Sequence, residues 1–280
     1  MATEKQGPAK GERRMEASLE GRVAVITGAS AGIGTAIARS FARHGAKVIL
    51  NARRGETLRR IQSELDETMG VEAAYAVEGD CADPAVITAM LDAGPEHFGK
   101  PADLFVVNAG RGLGGSVVSS DDESWEEMVK TNVMGAARLM RAAALSMAEN
   151  TPQGGDDAEG DWQEHARDIV VIGSTVGRHI SPFSSMYGGT KFAVHSLAEA
   201  LRRELAPSGI RVSLVEPGIV ETEFQGVAGY DPDKFGKLMH EKGPVLQPAD
   251  VAETITFMVS RPARICLGDV VIRGTRQDYP

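Results

Sequence analysis

Residues 22–41 place the strongest constraint on the fold. Arg22-Val-Ala-Val-Ile-Thr27 is a nearly continuous apolar, β-branched run; Gly28-Ala-Ser-Ala-Gly32-Ile-Gly34 follows it, and Ala36, Ile37, Ala38 and Phe41 come next on a helical period. The run predicts a buried strand, the glycines a tight turn and the last group a helix. Gly-x-x-x-Gly-x-Gly by itself marks only one of many glycine-rich turns. With a strand before it and a helix after it, the motif predicts the opening of a dinucleotide-binding fold. Glycine lets the backbone approach a pyrophosphate, and a helix N-terminus offers N–H groups and a partial positive charge to hold it.

The rest of the chain repeats this alternation. Strand-like runs recur at 47–51, 71–77, 104–107, 168–174, 209–215 and 269–272, with helical periods between them. That pattern predicts one α/β domain over 21–280: a Rossmann-type, doubly wound parallel sheet with helices on both faces and its ligands at the carboxyl edge. The 280 residues, 42% of them hydrophobic, suffice for one large core. Residues 1–20 are polar and charged and are expected to be disordered. Residues 151–165, with a proline, three glycines and five acids, are expected to form an exposed insertion without chemistry. Residues 221–246, the substrate-loop region, are placed to cover a pocket.

A formal net charge of −9 provides no domain-wide basic surface, which argues against nucleic acid or an anionic membrane as the main partner. No apolar run approaches the roughly 20 residues of a membrane-spanning helix, and no hydrophobic signal core opens the chain. Cys81 and Cys266 have no metal-type spacing and read as free thiols in a reducing, cytoplasmic compartment. The six His residues show no zinc-site spacing either, so no metal is expected. A small organic ligand fits these properties.

Candidate chemistry gathers in residues 174–191. Ser174 stands at the carboxyl end of the run 168–174, where a parallel sheet places its chemistry. From Tyr187 onward Phe192, Val194, Leu197, Ala198, Leu201 and Leu205 keep a helical period, so Tyr187 and Lys191, four apart, share one face. A free tyrosine has a pKa of about 10, too high for efficient proton exchange at neutrality. A neighbouring ammonium favours tyrosinate and lowers that value, which suits proton transfer to or from an alcohol or carbonyl. Ser174 can hydrogen-bond the same oxygen. Taken alone, Tyr-x-x-x-Lys equally describes an exposed, solvated pair. Asn132 lies inside a helix expected from about 123 to 149; an interior asparagine is mildly unfavourable there and asks for a surface or functional explanation.

The run 47–51 ends in Asn51 and is followed by Ala52-Arg53-Arg54, with no acid. An Asp or Glu at this point would accept from a ribose 2′-hydroxyl, whereas arginine can hold a 2′-phosphate with a charge-assisted fork, so NADP(H) is favoured over NAD(H). The same arginines also suit the solvated start of a helix. Asp80-Cys81 falls in a polar turn where an adenine amino group can be met. Asn108-Ala109-Gly110 offers small residues against a ribose.

Taken together, Thr27 to Gly34, Asn108-Ala109-Gly110, Asn132, Ser174, Tyr187-Gly-Gly-Thr-Lys191 and Pro217-Gly218 with Thr222 stand in the order of the short-chain dehydrogenase/reductase family. The chain resembles that family over roughly residues 19–272. The resemblance implies an oxidoreductase that moves hydride between NADP(H) and the carbonyl or secondary alcohol of a small organic substrate. It implies that Tyr187 donates or accepts the proton, that Ser174 orients the substrate oxygen, that Lys191 binds the ribose and lowers the tyrosine pKa, and that Asn132 holds a water linking Lys191 to solvent. Cofactor contacts are implied for Gly28, Ser30, Gly32, Ile33 and Gly34, for Arg53, Arg54, Asp80 and Cys81, and for Asn108, Ala109 and Gly110. They are implied also for Tyr187 and Lys191 and for Pro217, Gly218, Val220 and Thr222. Cys81 stands where the family usually has an aliphatic residue and is expected to serve through its backbone. The family likeness further implies a homotetramer, rather than a dimer, built on the helices from 123 and from Tyr187. The C-terminal stretch lacks the common Val-Asp-Gly-Gly ending and is similar to NADPH-dependent carbonyl reductases such as clavulanic aldehyde reductase. The alternative is an NADP(H)-binding regulatory protein without turnover, against which the intact Asn132, Ser174, Tyr187 and Lys191 argue.

Overall fold

The computed structural model describes residues 18–150, 162–179, 181–229, 233, 236–237, 240–241 and 243–278. Its strands are β1 (Val23–Thr27), β2 (Lys47–Ala52), β3 (Ala74–Glu78), β4 (Leu104–Val107), β5 (Arg167–Ile172), β6 (Ile210–Pro217) and β7 (Asp269–Ile272). They form one parallel sheet in the order β3-β2-β1-β4-β5-β6-β7. Its helices are α1 (Gly32–Arg43), α2 (Gly55–Met69), α3 (Pro84–Phe98), α4 (Trp125–Val129), α5 (Ala136–Glu149), α6 (Ser185–Leu205), α7 (Phe224–Val227) and α8 (Pro248–Val259).

Successive strand residues point to opposite faces, and both faces are covered. In β1, Ala24 and Ile26 pack with Ile37 and Phe41 of α1, Leu58 of α2 and Ile255 of α8. Val23 and Val25 face the other way, towards Met90 of α3, Leu139 and Met140 of α5 and Val194 of α6. Two buried faces explain why the strand runs read as nearly continuous apolar segments. The strand order reverses between β1 and β4, which opens a crevice at the carboxyl edge beside the glycine turn.

The opposite edge is closed by charge. Arg22 pairs with Asp103 at 2.7 Å and with Asp168 at 2.9 Å, and Arg211 pairs with Asp168 at 2.7 Å. Removing one partner of such a buried set leaves an uncompensated charge, at a penalty of about 3–5 kcal/mol.

Several expectations shift in detail. The helix expected over 123–149 is broken: a 3₁₀ turn at Asp122–Ser124 leads into α4, then a π-helical turn, Lys130–Gly135, leads into α5. The run 168–174 ends as a strand at Ile172, and Ser174 instead caps the 3₁₀ turn Thr175–Gly177. Leu19 belongs to the core and not to an unpacked leader: it is 1% exposed, and its N–H donates to His44 O at 2.8 Å. Residues 1–17 and 151–161 lie outside the described residues, as does part of 221–246. At the end of the 151–165 stretch, Trp162 lies over Gly209, where a Cβ would come within 2.3 Å of the Trp162 side chain. Among the described residues no helix is long and apolar enough to cross a membrane.

Candidate active site

A cleft of about 1370 Å³ runs along the carboxyl edge, from Arg53 and Arg54 to Ser174 and Tyr187. Its floor is the glycine turn. Gly28 and Gly32 have φ of +67° and +52°, in the left-handed region that side chains disfavour. At Gly34 a Cβ would stand 2.3 Å from Gly28 O, so only glycine lets α1 start this close to β1. Asn108 ties the turn to β4: its Nδ2 donates to Thr27 O at 2.8 Å, while the N–H groups of Asn108 and Ala109 both donate to Thr27 Oγ1 at 3.1 Å. The N-terminus of α1 has no side-chain cap and no acid in its first turn. A turn with glycine at its two left-handed positions, against a helix end with no side-chain cap, fits a dinucleotide pyrophosphate. Ser30, Ile33 and Gly110 line the same cleft.

Ser174, Tyr187 and Lys191 all line this cleft. Tyr187 and Lys191 lie in the first two turns of α6, both buried, with Lys191 Nζ 5.8 Å from the Tyr187 ring centroid. Lys191 Nζ donates to Ile172 O at 2.8 Å. Burial pushes its amine down from 10.5 to about 8, because the charged form loses its hydration. The Ser174 hydroxyl accepts only a long 3.4 Å bond from Val176 N–H. Phe224 of α7 tilts against the Tyr187 ring with centroids 5.5 Å apart.

Asn132 occupies the π-helical turn and is 2% exposed. Such turns are rare and concentrate at functional sites. Its Oδ1 accepts from Arg111 N–H at 2.8 Å, and its Nδ2 donates to Arg111 O at 2.9 Å and to Thr190 Oγ1 at 3.1 Å. Thr190 in turn donates to Tyr187 O at 2.7 Å. The asparagine that fits poorly in an α-helix thus links the loop after β4 to the tyrosine's own backbone.

At the other end of the cleft, Arg54 donates to Ser30 Oγ and Ser30 O, both at 3.2 Å, and to Glu223 at 3.3 Å. Arg53 pairs with Glu127 at 3.1 Å, a carboxylate that Arg111 also contacts. Asp80 accepts from Ala82 N–H at 2.9 Å and pairs with Lys130 at 3.0 Å; these contacts, the backbone bond foremost, hold its carboxyl below the usual range. Burial pushes the Cys81 thiol up to about 11, so it stays protonated. Beyond β6, Gly218 N–H donates to Ile272 O at 2.8 Å, Val220 bridges to Leu246, and the Thr222 methyl leans over Gly32. Pro217, Val220 and Thr222 all face the cleft. Every residue that the sequence offered as a site therefore lies in or beside one cleft. Among the described residues no group of three or more His, Cys, Asp or Glu side chains is arranged to hold a metal.

Comparison with known proteins decides the lineage. The model of the short chain dehydrogenase family matches residues 22–232. The chain belongs to that family. Human dehydrogenase/reductase SDR family member 11 is 32% identical over 262 residues, covering 91% of this chain and 95% of the relative. Among solved structures, 3-ketoacyl-(acyl-carrier-protein) reductase from Brucella melitensis, complexed with NADH, superposes with a TM-score of 0.79 at 32% identity and covers 92% of this chain and 99% of its own. An alcohol dehydrogenase from Thermococcus sibiricus, complexed with 5-hydroxy-NADP, gives 0.75 at 28% identity, with 92% and 99% coverage. The protein is thus a short-chain dehydrogenase with the fold of nicotinamide-binding oxidoreductases. None of these three is a clavulanic aldehyde reductase, and they lend that narrower likeness no support.

Within this short-chain dehydrogenase, three site residues carried no sequence signal. Gln277 reaches back from the C-terminal stretch, accepts from Ile219 N–H at 2.9 Å, and fills the space over Gly218 that a Cβ would need. Thr190 and Glu127 are the others; each matters through a partner more than 50 residues away in sequence.

Proposed function

We propose that this short-chain dehydrogenase is an NADP(H)-dependent oxidoreductase acting on the carbonyl or secondary alcohol of a small organic substrate. The observation that carries the proposal is the convergence of Ser174, Tyr187 and Lys191 on the same cleft as the glycine turn of Gly28 and Gly32. A nicotinamide held in this cleft would supply the hydride chemistry. The chain supplies position and a proton.

Tyr187 gives its phenolic proton to a carbonyl oxygen in reduction and takes it from the alcohol in oxidation. The Ser174 hydroxyl, only loosely engaged, donates a hydrogen bond to the same oxygen. Burial lowers the Lys191 amine to about 8; in its charged form it favours the tyrosinate of Tyr187. Asn132 fixes the backbone beneath Tyr187 through Thr190 and is assigned the water that links Lys191 to solvent. NADP(H) is favoured over NAD(H) because Ser30, Arg53 and Arg54 form a donor-rich corner where β2 ends in Ala52 without an acid. The acids now paired with those arginines, Glu127 and Glu223, are exposed and exchangeable.

The same reading includes a homotetramer. Val129, Met134 and Leu145, on the segment from α4 to α5, and Phe192 and Leu197 on α6 leave large apolar side chains exposed. Sedimentation as a tetramer at micromolar concentration supports this assembly, and a monomer contradicts it. The catalytic proposal is tested by following NADPH oxidation across a panel of aldehydes and ketones. Turnover with any of them supports it; cofactor binding without turnover across the panel supports a regulatory protein.

A further inference from the structure

A buried polar chain outside the catalytic set leads to the backbone of Ser174. His195 follows Lys191 by one turn of α6, with 13% of its side chain exposed. Its Nε2 accepts from the Ser174 N–H at 3.2 Å. The ring fits a notch between two glycines: a Cβ on Gly173 would lie 2.3 Å from Nε2, and one on Gly177 would lie 2.5 Å from the ring. On its other side, Nδ1 is 3.7 Å from Oε2 of Glu216, a carboxylate with no exposed surface at the end of β6. Arg178, on the turn that follows Ser174, grips both oxygens of Glu216 through Nε and Nη2. Burying a carboxylate is unfavourable unless it is paired. This one is paired, and it faces the imidazole that holds Ser174.

We infer that His195 is a positioning residue for the reaction: seated between Gly173 and Gly177 and backed by the Glu216–Arg178 pair, its neutral ring fixes the backbone of Ser174 and so aims the serine hydroxyl into the cleft. The inference rests on the assignment of Ser174 as the group that orients the substrate oxygen. A neutral imidazole that accepts at Nε2 carries its proton on Nδ1, on the side of Glu216. Protonation turns Nε2 into a donor facing the Ser174 N–H, and the bond is lost. Burial is the largest influence on the ring and lowers its pKa below 6.5; Glu216 and Asp269 oppose this, while Lys191 and Arg178 reinforce it. Glu199, one turn further along α6, pairs with Arg202 and Arg203. The neutral ring therefore prevails at pH 7, and the contact to Ser174 is lost as pH falls through the lowered pKa.

The test uses the full chain with NADPH and a ketone turned over by the parent. Expected for His195→Leu is a kcat about tenfold lower with KM for NADPH within twofold, since a misplaced group impairs the reaction more than the binding. The double variant with Ser174→Ala should be no slower than Ser174→Ala alone, because His195 acts through Ser174. His195→Gln, which keeps an acceptor near the Nε2 position, should recover most of the rate and lose the acid limb of the pH profile. Should His195→Leu fail to fold, Glu216→Gln decides: removing a charge that raises the His195 pKa should move the acid limb to lower pH, a shift that a merely structural role would not produce. A kcat for His195→Leu within twofold of the parent, additive losses in the double variant, or an acid limb unmoved in both His195→Gln and Glu216→Gln overturns the inference. Ser174→Ala at the parental rate overturns the assignment of Ser174 and this inference with it. A slow Ser174→Ala beside an unimpaired His195→Leu overturns only the part played by His195.

Discussion

The two ends of the cleft are built on opposite principles. At the Tyr187 end Asn132, Tyr187 and Lys191 are buried, and burial lowers the amine of Lys191, 7% exposed, to about 8. At the Arg53 end the charges stand in water. The side chains of Arg53 and Arg54 are 69% and 53% exposed, and their partners Glu127 and Glu223 are 51% and 71% exposed. A contact in low dielectric is strong and tolerates little change, whereas a solvated ion pair contributes about 0–1 kcal/mol and is screened by salt. The reaction should therefore be hard to retune by mutation and the choice of cofactor easy.

The steepest loss should come at the buried end. Lys191→Met removes both the amine assigned to the ribose and the charge beside Tyr187, so kcat should fall about a hundredfold or more while KM for NADPH rises. A loss confined to kcat or to KM rules out the dual role. The same variant exposes the contrast through stability. In the folded, cofactor-free protein the Lys191 pKa is lowered from 10.5 to about 8, so the folded state binds fewer protons than the unfolded state between those values. Below pH 8 both states carry the charge and its burial penalty is present in full. As pH rises towards 10.5 the penalty disappears, and the parent should gain stability relative to Lys191→Met, by an amount on the order of 3 kcal/mol. Denaturant melts of both proteins at pH 7 and pH 10 check the sign; a constant difference contradicts it.

The exposed end should respond more gently. A charge-assisted contact contributes about 1.5–3 kcal/mol, or roughly ten- to a hundredfold, and solvent should push the proposed NADPH preference towards the lower figure. Ala52→Asp with Arg53→Leu should reverse it by adding a ribose acceptor and a charge that repels the phosphate. High salt should narrow the parent's preference as well. Comparison of kcat/KM for NADPH and NADH checks both points. Equal use of the two cofactors by the parent, or no shift in the double variant, would leave Arg53 and Arg54 as solvated helix residues.

Legibility in the sequence divides in a similar way, between local and distant. The glycine turn, the Tyr187–Lys191 spacing, Asn108-Ala109-Gly110 and the alternation of strand and helix are local patterns, each set by the geometry of one turn or one element. The parallel sheet and its carboxyl-edge cleft result from them. The π-helical turn around Asn132 was not legible, because its stabilising contacts, to Arg111 and Thr190, lie 21 and 58 residues away. The reach of Gln277 to Ile219 spans 58 residues, and the pairing of Arg54 with Glu223 spans 169. No periodicity encodes such contacts. Leu19 was hidden for a related reason: a lone apolar residue after a polar stretch is assigned to the core only once its neighbours in space are known.

One cleft is proposed to hold both a nicotinamide cofactor and the phenol that moves the proton. The decisive experiment is to titrate the parent and Tyr187→Phe with NADPH, following reduced-nicotinamide fluorescence, and to assay turnover of a ketone in the same samples. Removing one hydroxyl should leave the dissociation constants within a few-fold of each other and lower turnover about 10²- to 10⁴-fold. Turnover by Tyr187→Phe within a few-fold of the parent would overturn the assignment of Tyr187 as the proton-transferring group.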